Sequence, residues 1–404
     1  MIEQKVVVMG LGYIGLPTAA LIASKGFLVR GVDVDQSIVD VVNSGKIHIV
    51  EPDLDQLVKN EVAKGSLKAN IIPAESDIFI ITVPTPFKDN NEPDLKYVNS
   101  AISMIIPFLR KGNLIIIEST SPVGTTMKIS EHIFRQIPEL LDHIHIAYCP
   151  ERVLPGKILY ELESNDRVIG GMDETSSKLA RDFYAKFVKG ELHLTNAKTA
   201  EMCKLVENSS RDVSISFANE LSIICDKADI NVWELIKLAN KHPRVNILQP
   251  GTGVGGHCIA VDPWFLISAY KKDAKLIRNA REINNYKTEW VIEKIKKTVS
   301  DFKKHKHQPT IAIMGLSFKP DIDDLRQSPA LYVAKKLYLE KKFNLLFVEP
   351  NIKEHEEFQL CDISQAINKS DILVYLVAHQ QFLDIKFKNG ITLDFCGVNQ
   401  KDFN

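Results

Sequence analysis

Over the first ~190 residues, short β-branched and apolar runs alternate with segments whose apolar positions recur every three or four residues, the pattern of βαβ units around a parallel sheet. The runs Lys5–Met9, Leu28–Asp33, Asp77–Val83, Leu114–Glu118 and His145–Cys149 are the predicted strands. Beyond Leu194 the period lengthens, and Ala197–Ala228, Asn231–Lys241 and Ala274–Val299 predict long helices with no strand-like run between them. From Asp301 to Pro309 the chain is polar and aperiodic, which predicts a solvated surface linker. After it the opening pattern returns. Thr310-Ile-Ala-Ile-Met-Gly-Leu echoes Lys5-Val-Val-Val-Met-Gly-Leu, and Ser370-Asp-Ile-Leu-Val-Tyr-Leu-Val echoes Ser76-Asp-Ile-Phe-Ile-Ile-Thr-Val, in the same order. The expected fold is α/β, with two Rossmann-like parallel-sheet domains, 1–195 and 301–404, flanking a central helical domain, 196–300. Two Rossmann-type strands look alike without common descent, so the echo suggests a duplication without requiring one.

Composition narrows the function classes. A chain of 404 residues with 45% hydrophobic and 25% charged positions, and 50 Lys+Arg against 51 Asp+Glu, has the make-up of a soluble globular protein. That balance argues against a chain-wide field for nucleic acid or membrane surfaces. Its apolar runs, such as Ile78–Ile81, fall far short of the ~20 residues of a membrane helix, and no signal-peptide pattern opens the chain, so a cytoplasmic location is expected. The six cysteines are dispersed without a CxxC pair and read as reduced thiols.

Gly10-Leu-Gly12-Tyr-Ile-Gly15 follows a strand and opens a helix. GxGxxG alone is a weak signal. In this context Gly10 permits the tight turn, Gly12 lets backbone approach a pyrophosphate, Gly15 allows close helix–strand packing, and the helix N–H groups face the phosphates. Asp33 ends the second strand at the distance expected of the acid that binds a ribose diol, which favours NAD over NADP because a carboxylate repels a 2′-phosphate. Arg30, on the alternate strand face, is expected to point away. The echo at Met314-Gly-Leu-Ser-Phe-Lys lacks the second and third glycines and implies a different ligand there.

The reacting group is sought in Gly251-Thr-Gly-Val-Gly-Gly-His-Cys258-Ile-Ala-Val-Asp262, where four glycines precede one cysteine. Such glycine density predicts close backbone approach to a ligand and an accessible thiol, whereas an inert cysteine sits more naturally in a helix, as Cys203 and Cys225 do. In an NAD enzyme a thiol adds to an aldehyde, giving a thiohemiacetal that loses hydride to become a thioester. Lys204, Asn208 and Arg211 fall at i, i+4 and i+7 of the first long helix, hence on one face. A solvated polar face is the ordinary explanation of such spacing. An ammonium beside an amide, on a residue with poor helix propensity, is also what a developing oxyanion needs.

These residues carry a resemblance. GLGYIGLPTA from Gly10, VPTP from Val83, ESTSPVGTT from Glu118, CPERVLPG from Cys149, the Lys204/Asn208 helix, GVGGHC at Gly253 to Cys258 and FKPDIDDLR from Phe318 resemble the UDP-glucose/GDP-mannose dehydrogenase family along nearly the whole chain. The segments IHIVEPDL, RVLPG and HPRVNILQPGTGVGGHC most resemble the branch acting on UDP-N-acetylhexosamines, UDP-N-acetylmannosamine first among them. His257, where the UDP-glucose branch commonly has an aromatic or small residue, departs from that branch. The resemblance implies Cys258 as nucleophile, Lys204 as proton shuttle that steadies the oxyanion with Asn208, and Asp262 as helper of the alcohol proton through water. It implies that Glu151 activates water against the thioester and that Thr120 positions that water. For NAD it adds Tyr13, Ile14, Thr85 and Thr126 to Gly10, Gly12, Gly15 and Asp33, with Arg326 reaching cofactor or substrate phosphates. Implied substrate contacts are Arg152, Val153, Lys204, Asn208, Arg211, His242, Arg244, Gly255 and Lys319.

The expected activity is a four-electron oxidation at C6 of a UDP-sugar, alcohol to carboxylate with no free aldehyde released and two NAD consumed, serving polysaccharide biosynthesis. UDP-N-acetylglucosamine and UDP-glucose remain alternative substrates. A homodimer through the helical middle is expected, and no nucleic-acid, membrane or metal partner. A zinc alcohol dehydrogenase would need clustered ligands, and adjacent His257 and Cys258 are poorly spaced for one ion. A 3-hydroxyacid dehydrogenase needs neither Cys258 nor a third domain. An NAD-responsive binding protein would not need Cys258, Lys204, Asn208, Asp262 and Glu151 together.

Overall fold

The computed structural model describes residues 4–88, 91–154, 156–256, 258–303, 308–388 and 390–399. The chain divides into two compact units, Met1–Val206 and Glu207–Asn404, and the cut falls inside the helix Ala197–Ala228.

The first unit holds β1 (Lys5–Met9), β2 (Leu28–Val32), β3 (Leu67–Asn70), β4 (Ile78–Ile81), β5 (Leu114–Ile117), β6 (His145–Tyr148), β7 (Arg167–Gly171) and β8 (Leu192–Asn196). They form one sheet in the order β3-β2-β1-β4-β5-β6-β7-β8. The reversal of order between β1 and β4 is the switch point of a doubly wound fold. Pairing is parallel throughout except for β6 against β7, a departure from the all-parallel sheet expected. Alternate side chains supply two cores. Val6, Val8, Ile78, Ile80, Leu114 and Ile116 face one layer, while Val7, Met9, Phe79, Ile81, Ile115 and Ile117 face the other. A sheet buried on both faces reads in sequence as unbroken apolar runs, which is why these strands were legible.

The first predicted strand, Lys5–Met9, has its observed bounds, and the other four run longer than the observed ones at their carboxyl ends. Asp33, Val83, Glu118 and Cys149 leave the ladder there. Strands β3 and β8 escaped prediction because they are edges whose exposed positions interrupt the apolar run, and β7 because it ends in two glycines.

The second unit holds the rest of that long helix, the helices Val232–Ala239, Asp262–Ala269 and Lys275–Lys303, and a second sheet of β9 (Thr310–Met314), β10 (Asn344–Val348), β11 (Ile372–Tyr375) and β12 (Ile391–Asp394). The short helix Asp262–Ala269 was not predicted. The helix Lys275–Lys303 continues through Asp301, so the first residues assigned to a linker are helical; residues 304–307 lie outside the described residues. The second sheet is parallel, in the order β10-β9-β11-β12, which reproduces β2-β1-β4-β5. Both sequence echoes, β9 with β1 and β11 with β4, therefore hold corresponding places, as a duplication requires.

Candidate active site

Because β1, β2, β4, β5 and β6 run parallel, the residues that follow them share one edge of the first sheet, where ligands of open α/β sheets bind. The glycine fingerprint is built there. Gly10 has φ +91° and its N–H donates to Val32 O at 2.7 Å. A Cβ on Gly15 would lie 1.8 Å from Gly10 O, so the helix can approach the strand only without one. A Cβ on Gly12 would enter open space, which leaves its backbone approachable. Tyr13 and Ile14 are half-buried at the start of the helix Gly15–Ser24.

Asp33 is half-buried; Oδ2 accepts from Leu11 N–H at 2.8 Å and Oδ1 from Asp35 N–H at 3.1 Å. Each oxygen keeps acceptor capacity for a ribose hydroxyl. Arg30 Nη1 lies 3.5 Å from Ile72 O. These features fit a dinucleotide: a cradle clear of side chains beside a partly solvated carboxylate.

Thr85 and Thr120 are half-buried in the loops after β4 and β5. Thr126 is fully buried, and its hydroxyl and N–H both donate to Glu201 Oε1 at 2.7 Å, while Gly124 N–H donates to Glu201 Oε2. A carboxylate of the chain itself thus caps the helix Thr125–Gln136, and Thr126 already has a partner. Nothing in the order of residues marks Glu201 for this role.

Glu151 follows β6 and is buried, with Oε1 accepting from Arg152 N–H and Oε2 lying 3.4 Å from Arg167 Nη2. Arg167 also reaches Glu118 Oε1 at 3.5 Å, and Tyr184 donates to that oxygen at 2.6 Å. Two carboxylates thus share one buried guanidinium. Burial pushes Glu118 up to about 7 from 4.5, against the pull of Arg167 and with a further push from Glu151. Burial likewise pushes the Cys149 thiol beside them up to about 12. Arg167 was missed because an isolated arginine in a strand carries no pattern; Glu118 stands in the ESTSPVGTT segment but was given no role. Val153 packs on the core, Arg152 Nη1 lies 3.1 Å from Asp166 O, and Lys204 Nζ donates to Glu151 O at 2.8 Å.

In the second unit, Asn208 Nδ2 donates to Asp262 Oδ2, and Asp262 N–H donates to Cys258 O at 2.8 Å. Asn208, one turn after Lys204 on the same helix, is thereby tied to the turn that carries the half-buried Cys258. Burial raises the thiols of Cys225, Cys361 and Cys396, as it does Cys149, which disfavours their thiolates. His257 lies outside the described residues.

The glycine-rich loop also packs closely on the protein itself. A Cβ on Gly253 would lie 2.3 Å from Thr288 Oγ1, on Gly255 2.5 Å from Gln327 O, and on Gly256 2.8 Å from the Phe318 ring. These three glycines are required by close packing against the protein itself, and only Gly251 faces free space. Thr252 Oγ1 donates to Leu376 O, and Gly256 N–H to Arg326 O, fastening the loop at both ends.

Lys319 is half-buried beside Phe318, and the Arg326 side chain pairs with Asp324. Arg211 is exposed on the long helix. His242 and Arg244 are exposed on a loop closed at its base by Asn240, whose side chain bonds both N–H and O of Ile247. Among the described residues no group of three or more His, Cys, Asp or Glu could hold a metal ion, and no helix is long and apolar enough to cross a membrane.

Three family models match in order: the NAD-binding domain of the UDP-glucose/GDP-mannose dehydrogenase family at residues 4–188, its central domain at 198–286 and its UDP-binding domain at 312–399. A UDP-N-acetyl-D-mannosamine dehydrogenase of Campylobacter jejuni is 54% identical over 399 residues, covering 95% of this chain and 97% of its own. An NDP-N-acetyl-D-galactosaminuronic acid dehydrogenase of Ralstonia nicotianae is 51% identical, covering 97% and 95%. The solved UDP-D-ManNAc dehydrogenase of Pyrococcus horikoshii superposes with a TM-score of 0.89 at 36% identity, over 98% of this chain and 96% of that one. With the fingerprint, the cysteine turn and all three matched domains in place, the chain belongs to the UDP-glucose/GDP-mannose dehydrogenase family, as an NAD-dependent nucleotide-sugar dehydrogenase.

Proposed function

We propose that the protein oxidises the C6 alcohol of UDP-N-acetyl-D-mannosamine to the carboxylate through a thioester on Cys258. The reading rests on the tie of Asn208 to Asp262 and of Asp262 to the Cys258 turn, in a chain 54% identical to a UDP-N-acetyl-D-mannosamine dehydrogenase. Gly10, Gly12, Gly15 and Asp33 would hold NAD, which would supply the hydride acceptor for each of the two oxidations. The alcohol proton leaves through water held by Asp262, and Lys204 with Asn208 steadies the alkoxide that forms. The Cys258 thiolate adds to the aldehyde carbon, and Lys204 supplies a proton to the carbonyl oxygen, giving a thiohemiacetal. Removing that proton and a second hydride leaves the thioester. Water activated by Glu151 and positioned by Thr120 then attacks, releasing the carboxylate and returning the thiol.

Gly10, Gly12, Tyr13, Ile14, Gly15, Asp33 and Thr85 form the NAD site in this reading, with Arg326 directed to phosphate, whereas Thr126, buried with its hydroxyl and N–H on Glu201, holds the helix beside that site rather than the cofactor itself. Arg152, Val153, Arg211, His242, Arg244, Gly255 and Lys319 contact the nucleotide sugar. The protein works as a cytoplasmic homodimer joined through its helical middle, and supplies a uronic acid for polysaccharide synthesis.

A second sugar, an NDP-N-acetylgalactosamine, is favoured by the almost equal identity to the Ralstonia relative. UDP-N-acetylglucosamine and UDP-glucose would undergo the same chemistry. Incubation with NAD and a panel of UDP- and GDP-sugars should yield two NADH per sugar, fastest with UDP-N-acetylmannosamine. One NADH per sugar, or full turnover by Cys258→Ala, would sink the thioester route.

A further inference from the structure

The duplicated sheets allow one acid to be compared with its counterpart inside a single chain. In the first, Gly10 N–H donates to Val32 O and Leu11 N–H to Asp33. In the second, Gly315 N–H donates to Val348 O at 2.8 Å and Leu316 N–H to Glu349 Oε2 at 2.7 Å, with Gly315 at φ +94°. Glu349 thus holds the place of Asp33. Its surroundings differ. Asp33 is half-exposed, whereas Glu349 is buried; its Oε2 also accepts from Ser317 N–H and contacts His379 Nε2 at 3.0 Å, and its Oε1 accepts from Asn351. No lone pair faces a ribose.

His379 has no exposed surface, and its Nδ1 accepts from Asp321 N–H at 2.9 Å. A backbone N–H can only donate, so Nδ1 is the bare nitrogen and Nε2 carries the proton toward Glu349. The pair therefore grips the turn 316–321 at both ends: Glu349 through the N–H groups of Leu316 and Ser317, His379 through that of Asp321. Asp321 itself is left-handed, at φ +61°, a conformation that needs such support. Between the grips lie Lys319 and Phe318, and the Phe318 ring is the surface against which Gly256, two residues before Cys258, is packed.

We propose that His379 and Glu349 are positioning residues for the oxidation, an acid in the ribose-binding place turned into a latch that fixes Lys319 for the nucleotide sugar and the Phe318 wall for the cysteine loop. The inference rests on the reading of Lys319 as a substrate contact. Loss of one such hydrogen bond with a buried partner left unpaired corresponds to roughly tenfold in an equilibrium. His379→Ala should therefore raise KM for the UDP-sugar about tenfold or more. NAD affinity should stay unchanged, because that fingerprint belongs to the other sheet. Alkylation of Cys258 by iodoacetamide, followed by peptide mass spectrometry, should quicken.

The milder variants separate the two grips. His379→Asn keeps an acceptor near the Nδ1 place and should recover part of the loss, while His379→Gln keeps a donor toward Glu349 but loses the hold on Asp321. Should the alanine variant not fold, these two carry the same comparison. Lys319→Ala is the control. If it raises the sugar KM while the His379 variants leave both that KM and the alkylation rate at wild-type values, the latch is overturned. If Lys319→Ala leaves the sugar KM unchanged, the substrate reading fails instead, and the alkylation rate alone decides the latch: faster upholds it, unchanged overturns it.

Discussion

At the scale of single residues, the same side-chain type takes opposite roles according to exposure. Asp33 keeps acceptor capacity because it is half-solvated, and charge-assisted bonds to a ribose diol contribute on the order of 1.5 to 3 kcal/mol. NADP would lose them and set a phosphate against the carboxylate, so preference for NAD should be at least about a hundredfold. Steady-state kinetics with both cofactors check this, and Asp33→Ala should narrow the gap mainly by weakening NAD, since Leu11 N–H also loses its partner. Equal kcat/KM for the two cofactors would refute the role. Glu118 is the contrasting case. Below pH 4.5 it is protonated in folded and unfolded chains alike. Between 4.5 and about 7 the folded chain keeps a proton that the unfolded chain releases, so this group's contribution falls as pH rises through that window. The slope is at most about 1.4 kcal/mol per pH unit. Glu118→Gln removes the titration, and its Tm relative to wild type should climb from pH 5 to about pH 7. A difference that does not vary with pH would contradict the buried-proton account.

At the scale of elements, the long helix Ala197–Ala228 was predicted with its observed bounds, and its exposed apolar residues bear on assembly. Val206, Phe217 and Ile224 are exposed, at spacings of three and two helical turns, hence on one side. An isolated stripe of this kind is what a second copy of the helix would cover. Phe217→Asp with Ile224→Asp should convert a dimer to a monomer by light scattering at micromolar concentration. A dimer that survives both changes joins elsewhere. The glycine loop shows where reading elements from sequence stops. Four glycines before Cys258 are consistent with ligand approach or with self-packing, and Phe318, Gln327 and Thr288, whose close approach leaves no room for a Cβ at three of them, lie 30 or more residues away. Of the buried cluster under β6 and β7, only Glu151 stood out in sequence, because Arg167 and Tyr184 become meaningful only when the sheet brings them to Glu118.

At the scale of the whole molecule, the loop that carries His242 and Arg244 projects into solvent from a base closed by Asn240 and Ile247, as a group serving a partner subunit's site would. Mixing Arg244→Ala with Cys258→Ala should then restore about a quarter of wild-type activity per dimer site, by random pairing of subunits. No rescue in a mixture shown to exchange subunits would put Arg244 in its own site. The sequence by itself determined the central strands of the first sheet, the return of the same pattern after the helices, the long helices and the dinucleotide fingerprint, because each rests on a local period or on residues close together in the chain. Tertiary structure alone decided the antiparallel β7, the capture of Thr126 by Glu201, the guanidinium shared by Glu118 and Glu151, and the saturation of Glu349 by His379. Each of those depends on burial and on partners brought together by folding, and desolvation, which sets whether a carboxylate is a ligand, a proton store or a latch, has no signature in the order of residues.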